Sequence, residues 1–236
     1  MSENKQLILI ILAIVIIALI SFLLSPFFKL NDVKIKGIHY LEKEDIVEVV
    51  SSYKKNNLWM IDKEDVKNKV KVYNYVKKVA VIKNYPNTLL IDIKERVPVG
   101  KINNNGSYLI FDENGYILEK GALSNRKIPL IKGIAYSFQK NKVIFADLFC
   151  QIVQALSSVS SEIRGDINNI ICYQNKNKLK LNLRSKVEVN LGNTNNLNKK
   201  FKVLESTIKK IEDEKLAVNY IDLSIINKPV IKLQNK

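Results

Sequence analysis

His39 is the only histidine in the chain, and most of the catalytic chemistry open to this sequence would have to pass through it. A Ser-His-Asp triad would depend on that one ring, and an imidazole metal site would have one ligand to draw on. His39 falls between a predicted strand and the first helix after it, and no triad partners can be placed around it, so its reading is structural. A membrane-anchored thiol enzyme would need a cysteine beside a histidine and an arginine. Cys150 falls in a predicted amphipathic helix and Cys172 at the end of an Ile-rich strand. Both contexts are those of buried, inert thiols, and a disulfide cannot be read from spacing. The acidic pairs Glu42/Glu44 and Asp213/Glu214 lie among lysines on predicted helices, where solvated i,i+4 pairing accounts for them. A glycosidase would need two carboxylates converging in a cleft, and nothing points to such a pair. The chain has no G-x-G-x-x-G, no G-x-x-x-x-G-K-[ST] and no CxxC. The expectation is a protein that is not an enzyme, with no cofactor and no metal.

The elements that position these residues begin with an anchor. Leu7 to Leu24 is apolar except for Ser21, and a helix of that length covers most of a ~30 Å hydrocarbon core. A cleaved signal peptide would have a shorter apolar region and a small-x-small site, and Leu23-Leu24-Ser25-Pro26-Phe27-Phe28 offers none. A buried core helix would rarely be apolar on every face. The reading is a tail at residues 1–5, a transmembrane helix at 6–28, and the rest of the chain on one side. Lys5 and the terminal amine precede the span, whereas Lys29, Lys34, Lys36 and Lys43 follow it. Counted literally, the positive-inside rule favours a cytoplasmic domain, but that rule weakens for long translocated domains.

The formal net charge is +15, and because Glu3 and Lys5 cancel, the excess lies beyond the span. A basic body is compatible with lipid headgroups, nucleic acid or acidic wall polymers. The plainer reading is a Lys- and Asn-rich surface, since Lys54-Lys55, Lys77-Lys78 and Lys199-Lys200 are short and scattered.

Val33 to Ile38 alternates as a half-buried strand, and Glu42 to Tyr53 carries Ile46, Val47, Val49, Val50 and Tyr53 on a helical stripe. Leu58-Trp59-Met60-Ile61 is a short apolar plug. Asp62 reads as an N-cap for a second helix with Val66 and Val70 inward. Strands follow at Val76 to Lys83 and Thr88 to Val97, with Leu89, Ile91 and Ile93 on one face. This makes a β-α-α-β-β module over residues 29–97. Pro98 marks the boundary to a mixed β domain over 98–236. That domain has strands at Ser107–Phe111, Tyr116–Leu118, Ile128–Gly133, Ile167–Tyr173, Leu179–Leu183, Val187–Leu191 and Val218–Ile225, with Val230–Leu233 a candidate for one more. Helices are predicted from about Val143 to Ser161 and along Phe201, Leu204, Ile208 and Ile211. The fold class is α+β.

Several of these segments carry a family resemblance. Phe28-Lys29-Leu30-Asn31-Asp32-Val33-Lys34-Ile35-Lys36-Gly37 resembles the opening strand of the POTRA domain of FtsQ, called DivIB in Gram-positive bacteria. Tyr85 to Ile91 and Lys94-Glu95-Arg96-Val97-Pro98-Val99-Gly100 resemble its closing strand. Tyr108 to Gly115, Ile128 to Gly133 and Tyr220-Ile221-Asp222-Leu223 resemble successive parts of the family's β domain, in the family's order. Gly100 stands where Ala is usual and Ser224 where a basic residue is common.

The resemblance implies a non-enzymatic cell-division protein of type II topology, with the large domain outside the cell membrane at the division septum, where nucleic acid is no partner. It implies two bitopic coiled-coil partners, one FtsL-like and one FtsB/DivIC-like, and through them control of septal peptidoglycan synthesis and contact with a septal peptidoglycan synthase. It places partner binding on a late edge strand by strand addition, at Tyr220, Ile221, Asp222, Leu223, Ser224 and Ile225, with Asn227 just beyond. Ile221 and Leu223 are also expected as core. Glu95, Arg96 and Pro98 are expected at the domain junction or in recruitment. Two competing readings remain. One is an adaptor binding anionic wall polymer or lipid through its basic surface, which rising salt should weaken steeply. The other is an unrecognised hydrolase acting on peptidoglycan.

Overall fold

A computed structural model of the chain describes residues 3–121, 126–173 and 178–234; the first two residues of the predicted tail lie outside them. The apolar run forms helix α1, Glu3–Leu23. Its Asn4–Leu23 stretch is long and apolar enough to cross a membrane, and none of it is buried against protein. The helix stops at Leu23 rather than Phe28. Pro26 lacks an N–H and disfavours a helical Ser25, which is extended (φ −66°, ψ 160°), and Pro26–Phe28 closes as a 3-10 turn.

The chain divides into two compact units, Met1–Arg96 and Val97–Lys236. Beyond α1, the first contains β1 (Asp32–Lys36), α2 (Lys43–Ser51), α3 (Lys63–Val70), β2 (Val76–Asn84) and β3 (Thr88–Glu95). Among the described residues its sheet has the order β1-β3-β2. β3 runs parallel to β1 and antiparallel to β2, with Ile35 opposite Ile91 and Val81 opposite Ile91 on the other side. The alternation read from sequence puts Leu89, Ile91 and Ile93 inward, where they meet Ile46 and Val50 of α2 and Val66 and Val70 of α3. Each such side chain contributes about 1.5–3 kcal/mol through burial. The Asp62 carboxylate caps α3 by accepting from the Glu64 N–H at 2.9 Å. The apolar plug is half right: Leu58 and Ile61 are buried, but Trp59 is 48% and Met60 71% exposed.

The second unit contains β4 (Pro98–Asn104), β5 (Ser107–Asp112), β6 (Ile117–Gly121), β7 (Leu130–Lys132), β8 (Tyr136–Gln139), β9 (Lys142–Phe145), α4 (Asp147–Ser157), α5 (Ser161–Asp166), β10 (Ile167–Tyr173), β11 (Lys178–Leu183), β12 (Glu188–Gly192), α6 (Leu197–Asp213), β13 (Val218–Asp222) and β14 (Val230–Leu233). Among the described residues, nine strands make one sheet, in the order β14-β13-β12-β11-β10-β7-β4-β5-β6, and β8 and β9 form a separate hairpin. The core is shared by the inward side chains of this sheet and by α4 and α6, through Phe149, Ile152, Leu156, Phe201 and Leu204.

Three expectations are corrected here. Pro98 opens a strand rather than only marking a boundary. A proline is harmless at the first position of a strand, and β4 returns into β5 through Asn105-Gly106, both at positive φ (50° and 84°), as a tight hairpin requires. The helix expected from Val143 begins at Asp147, because Lys142–Phe145 is taken up as a strand by antiparallel pairing with β8. It also ends before Val159, and Ser160 caps a separate α5 by accepting from the Ile163 N–H at 3.3 Å. Finally, Cys150 is half-buried rather than buried. Both cysteines are free thiols, and burial raises the pKa of Cys172.

Candidate partner-binding site

The expected late strand ends at Asp222, and the Asp222 side chain shows why. Its Oδ1 accepts from the Ser224 N–H (2.8 Å) and the Ser224 hydroxyl (2.5 Å). Its Oδ2 accepts from Asn190 Nδ2 (2.9 Å) and the Tyr220 hydroxyl (3.1 Å). An aspartate bonding the backbone two residues on turns the chain out of the ladder. Leu223 still donates to the Asn190 carbonyl at 2.8 Å, and beyond it the chain leaves the sheet as a loop that returns at β14.

The opposite wall is built by β12 and α6. Gly192 ends β12 at φ +65°, and a Cβ there would lie 2.7 Å from Ser224 Cβ, so only glycine lets the two segments approach this closely. Lys200 is 2% exposed. Its ammonium donates to the Leu191 carbonyl (2.6 Å) and to the Asn193 carbonyl (2.7 Å) and side-chain oxygen (3.0 Å), pinning the turn after β12. Burial lowers its pKa. Between these walls lies an open cleft of about 420 Å³ lined by Asn193, Asn196, Lys199, Ser224, Ile225 and Asn227, among others. Ile225 is 63% exposed at its rim.

The predicted partner-binding residues are therefore neighbours, but they are not alike. Ile221 and Leu223 are fully buried in the core. Tyr220 and Asp222 are half-buried, and Ser224, Ile225 and Asn227 are exposed. β13 is not the edge of the sheet, since β12 pairs with it on one side and β14 on the other. The open edge is β14, and among the described residues nothing pairs with its outer side. The Gln234 N–H reaches back to the Ala217 carbonyl at 2.8 Å. Alternation along the strand then turns the N–H groups of Ile231 and Leu233 outward. Sequence reasoning missed Asn190 and Lys200. Lys200 had a signal, because it sits on the apolar stripe of α6 between Leu197 and Leu204.

Glu95 and Arg96 end the first unit, and Pro98 opens the first strand of the second. Glu95 is 8% exposed and accepts from three consecutive backbone N–H groups, those of His39 (2.7 Å), Tyr40 (2.9 Å) and Leu41 (2.9 Å). It therefore ties the turn between β1 and α2 to the end of β3 inside the first unit. The Arg96 N–H donates to the Tyr75 carbonyl at 2.6 Å. Pro98 is buried, and its carbonyl accepts from Arg164 Nη1 at 3.3 Å.

The Asp222 cluster sets an acid sensitivity. Burial pushes the carboxyl pKa up, but the bonds from Ser224, Asn190 and Tyr220 outweigh it and hold it at about 2, below its ordinary 3.8. With Asp222 partly exposed, solvent screening reduces the worth of this shift to about 1–2 kcal/mol. A depressed folded pKa stabilises the native state above the unfolded value. The contribution is full at neutral pH, falls as the pH drops below about 4, and is gone below about 2. Urea unfolding of wild type and Asp222→Asn should therefore differ at neutral pH and converge at pH ~2. A difference independent of pH would mean that the cluster does not hold the carboxylate ionised.

The chain was compared with known proteins. Residues 28–96 match the POTRA domain, FtsQ-type. Residues 101–224 match the C-terminal domain of cell division protein FtsQ/DivIB. The chain is 28% identical over 215 residues to cell division protein DivIB of Clostridium tetani, covering 87% of this chain and 80% of that one. It is 27% identical over 225 residues to DivIB of Clostridium acetobutylicum, covering 89% and 84%. Among solved structures, the major extracytoplasmic domain of DivIB from Geobacillus stearothermophilus aligns with 12% identity and a TM-score of 0.38, over 51% of this chain and 97% of that one. With the C-terminal model alone spanning more than half of the sequence, and an FtsQ-type POTRA match before it, the chain belongs to the FtsQ/DivIB family of cell division proteins.

Proposed function

We propose that this protein is a non-enzymatic scaffold of the division machinery. Residues 1–5 lie in the cytoplasm, α1 spans the cell membrane, and residues 29–236 face outward at the septum. There the scaffold bridges two membrane-anchored coiled-coil partners, one FtsL-like and one FtsB/DivIC-like, and through them helps control septal peptidoglycan synthesis. One observation carries the site: the nine-stranded sheet ends in the short, open β14, next to a cleft rimmed by exposed Ile225. An unpaired edge offers a partner backbone hydrogen bonds, and the pockets beside it read alternate side chains. In this reading β14 receives the added strand, while Tyr220, Ser224, Ile225 and Asn227 set specificity from the neighbouring loop and outer face. Ile221, Asp222 and Leu223 hold that loop in place.

The test is photocrosslinking in cells from a probe at Ile225, with the captured protein identified by mass spectrometry. Capture of a small single-span coiled-coil protein is the expected result. Recovery of wall polymer or lipid alone would favour the adaptor reading, which the net charge of +15 supports. Capture of cytosolic proteins would reverse the topology.

A further inference from the structure

Where α1 ends, a continuous run of aromatic rings leaves the apolar helix and enters the first unit. Phe22, in the last turns of α1, meets Phe28 edge-on at 5.3 Å; Phe28 meets Trp59 at 6.1 Å; and Trp59 stacks on Tyr85 at 4.1 Å. Polar bonds lock the same contact. Asn57 Nδ2 donates to the Leu23 carbonyl (2.7 Å), one of the helix-end carbonyls that would otherwise lack a partner. The Leu58 N–H donates to the Phe28 carbonyl (2.7 Å), and the Lys83 ammonium to the Trp59 carbonyl (3.0 Å). The loop from Asn57 to Met60 is therefore held against the exit of the helix.

Its side chains are those a solvated loop does not need. Trp59, Met60, Phe27 and Tyr85 are 48%, 71%, 59% and 45% exposed, next to Leu24 at 51%. An exposed apolar patch of this kind marks an interaction surface, and the partner is set by continuity with the span. Tryptophan and tyrosine concentrate at headgroup level, where an amphipathic ring has one apolar and one wet side. Exposed Lys29 and the Lys54-Lys55 turn, tied to this strip through the Lys29–Asn57 bridge and the Lys55 N–H to Leu30 carbonyl bond, add positive charge beside it.

We propose that Trp59, Met60, Phe27 and Tyr85 form a lipid-docking surface that seats the first unit in the headgroup layer of the bilayer spanned by α1, with Lys29, Lys54 and Lys55 attracting anionic lipid. This rests on the reading of α1 as a membrane span. The surface fixes how the unit stands on the membrane, since one rigid helix and one embedded loop leave it little freedom to tilt.

Trp59 is the only tryptophan in the chain, so its fluorescence reports on this surface alone. The full chain is reconstituted into phosphatidylcholine–phosphatidylglycerol vesicles, with spin labels placed high on the acyl chain or at its methyl end. The expected result is blue-shifted emission, quenched more by the high label than by the deep one and little by aqueous iodide. Replacing Met60 with glutamate should shift the emission to the red and reduce lipid quenching. If the chain resists alkaline carbonate extraction but Trp59 is quenched only by iodide, the docking surface is wrong while the anchor stands. If carbonate releases the chain, the anchor reading fails and the docking surface falls with it.

Discussion

Replacing Glu95 with alanine is expected to destabilise the first unit by about 2–4 kcal/mol and to lower its unfolding midpoint by about 10–20 °C. The carboxylate accepts three backbone N–H groups in a row, from His39, Tyr40 and Leu41. Bonds to an ionised acceptor are roughly twice as strong as neutral ones, and Glu95→Ala removes that acceptor from three partly buried N–H groups at once. The turn has little alternative geometry. Gly37, just before it, has φ +78°, and a Cβ there would stand 1.9 Å from the Ile93 carbonyl oxygen. Glu95→Gln keeps one acceptor oxygen but turns an NH2 group toward the remaining donors, so it should fall between wild type and Glu95→Ala. Calorimetry of the full chain in detergent measures the shift against wild type. A Glu95→Ala protein within about 0.5 kcal/mol of wild type, a typical surface substitution, would mean that the carboxylate is not holding the turn.

Under the proposed strand addition at β14, Leu233→Pro should weaken binding of the proposed coiled-coil partner by about 10–100-fold, about 1.4–2.7 kcal/mol, with a much smaller effect on folding. Proline removes the outward N–H of Leu233 and sets a ring against an incoming strand. Because that N–H does not pair with β13, the sheet's own ladder is kept, and edge strands accept proline on such terms. Leu233→Thr is the control: it changes the side chain but leaves the backbone donor in place, so most affinity should remain. Titration of the purified partner against the full-length variants reads both effects. Wild-type affinity in Leu233→Pro would rule out strand addition at β14 and leave the loop at Ile225 as the contact.

Much of the architecture was legible in local patterns. The apolar run of α1, the Leu89, Ile91 and Ile93 alternation of β3, the cap at Asp62 and the stripe of α6 each encode their own burial. Each depends on residues a few positions apart, so the local sequence determines it. The errors came where a short segment admits two periods. Val143 to Phe145 reads equally as the start of a helix or a strand, and pairing with Tyr136–Gln139 decides it. Pro98 reads as a break until the Asn105-Gly106 turn brings β5 back beside it.

By itself the sequence determined an N-terminal helix long and apolar enough to cross a membrane, the two-module order, the β-α-α-β-β arrangement and the stretch that carries the candidate site. Only the tertiary structure decided which strand is the edge, that Glu95 faces its own unit's turn, that Lys200 is a buried clamp, and that Trp59 stands beside the end of α1 instead of in the core. These are contacts between segments far apart in the chain. Alternation says which face of a strand is buried, but not which strand lies next to it.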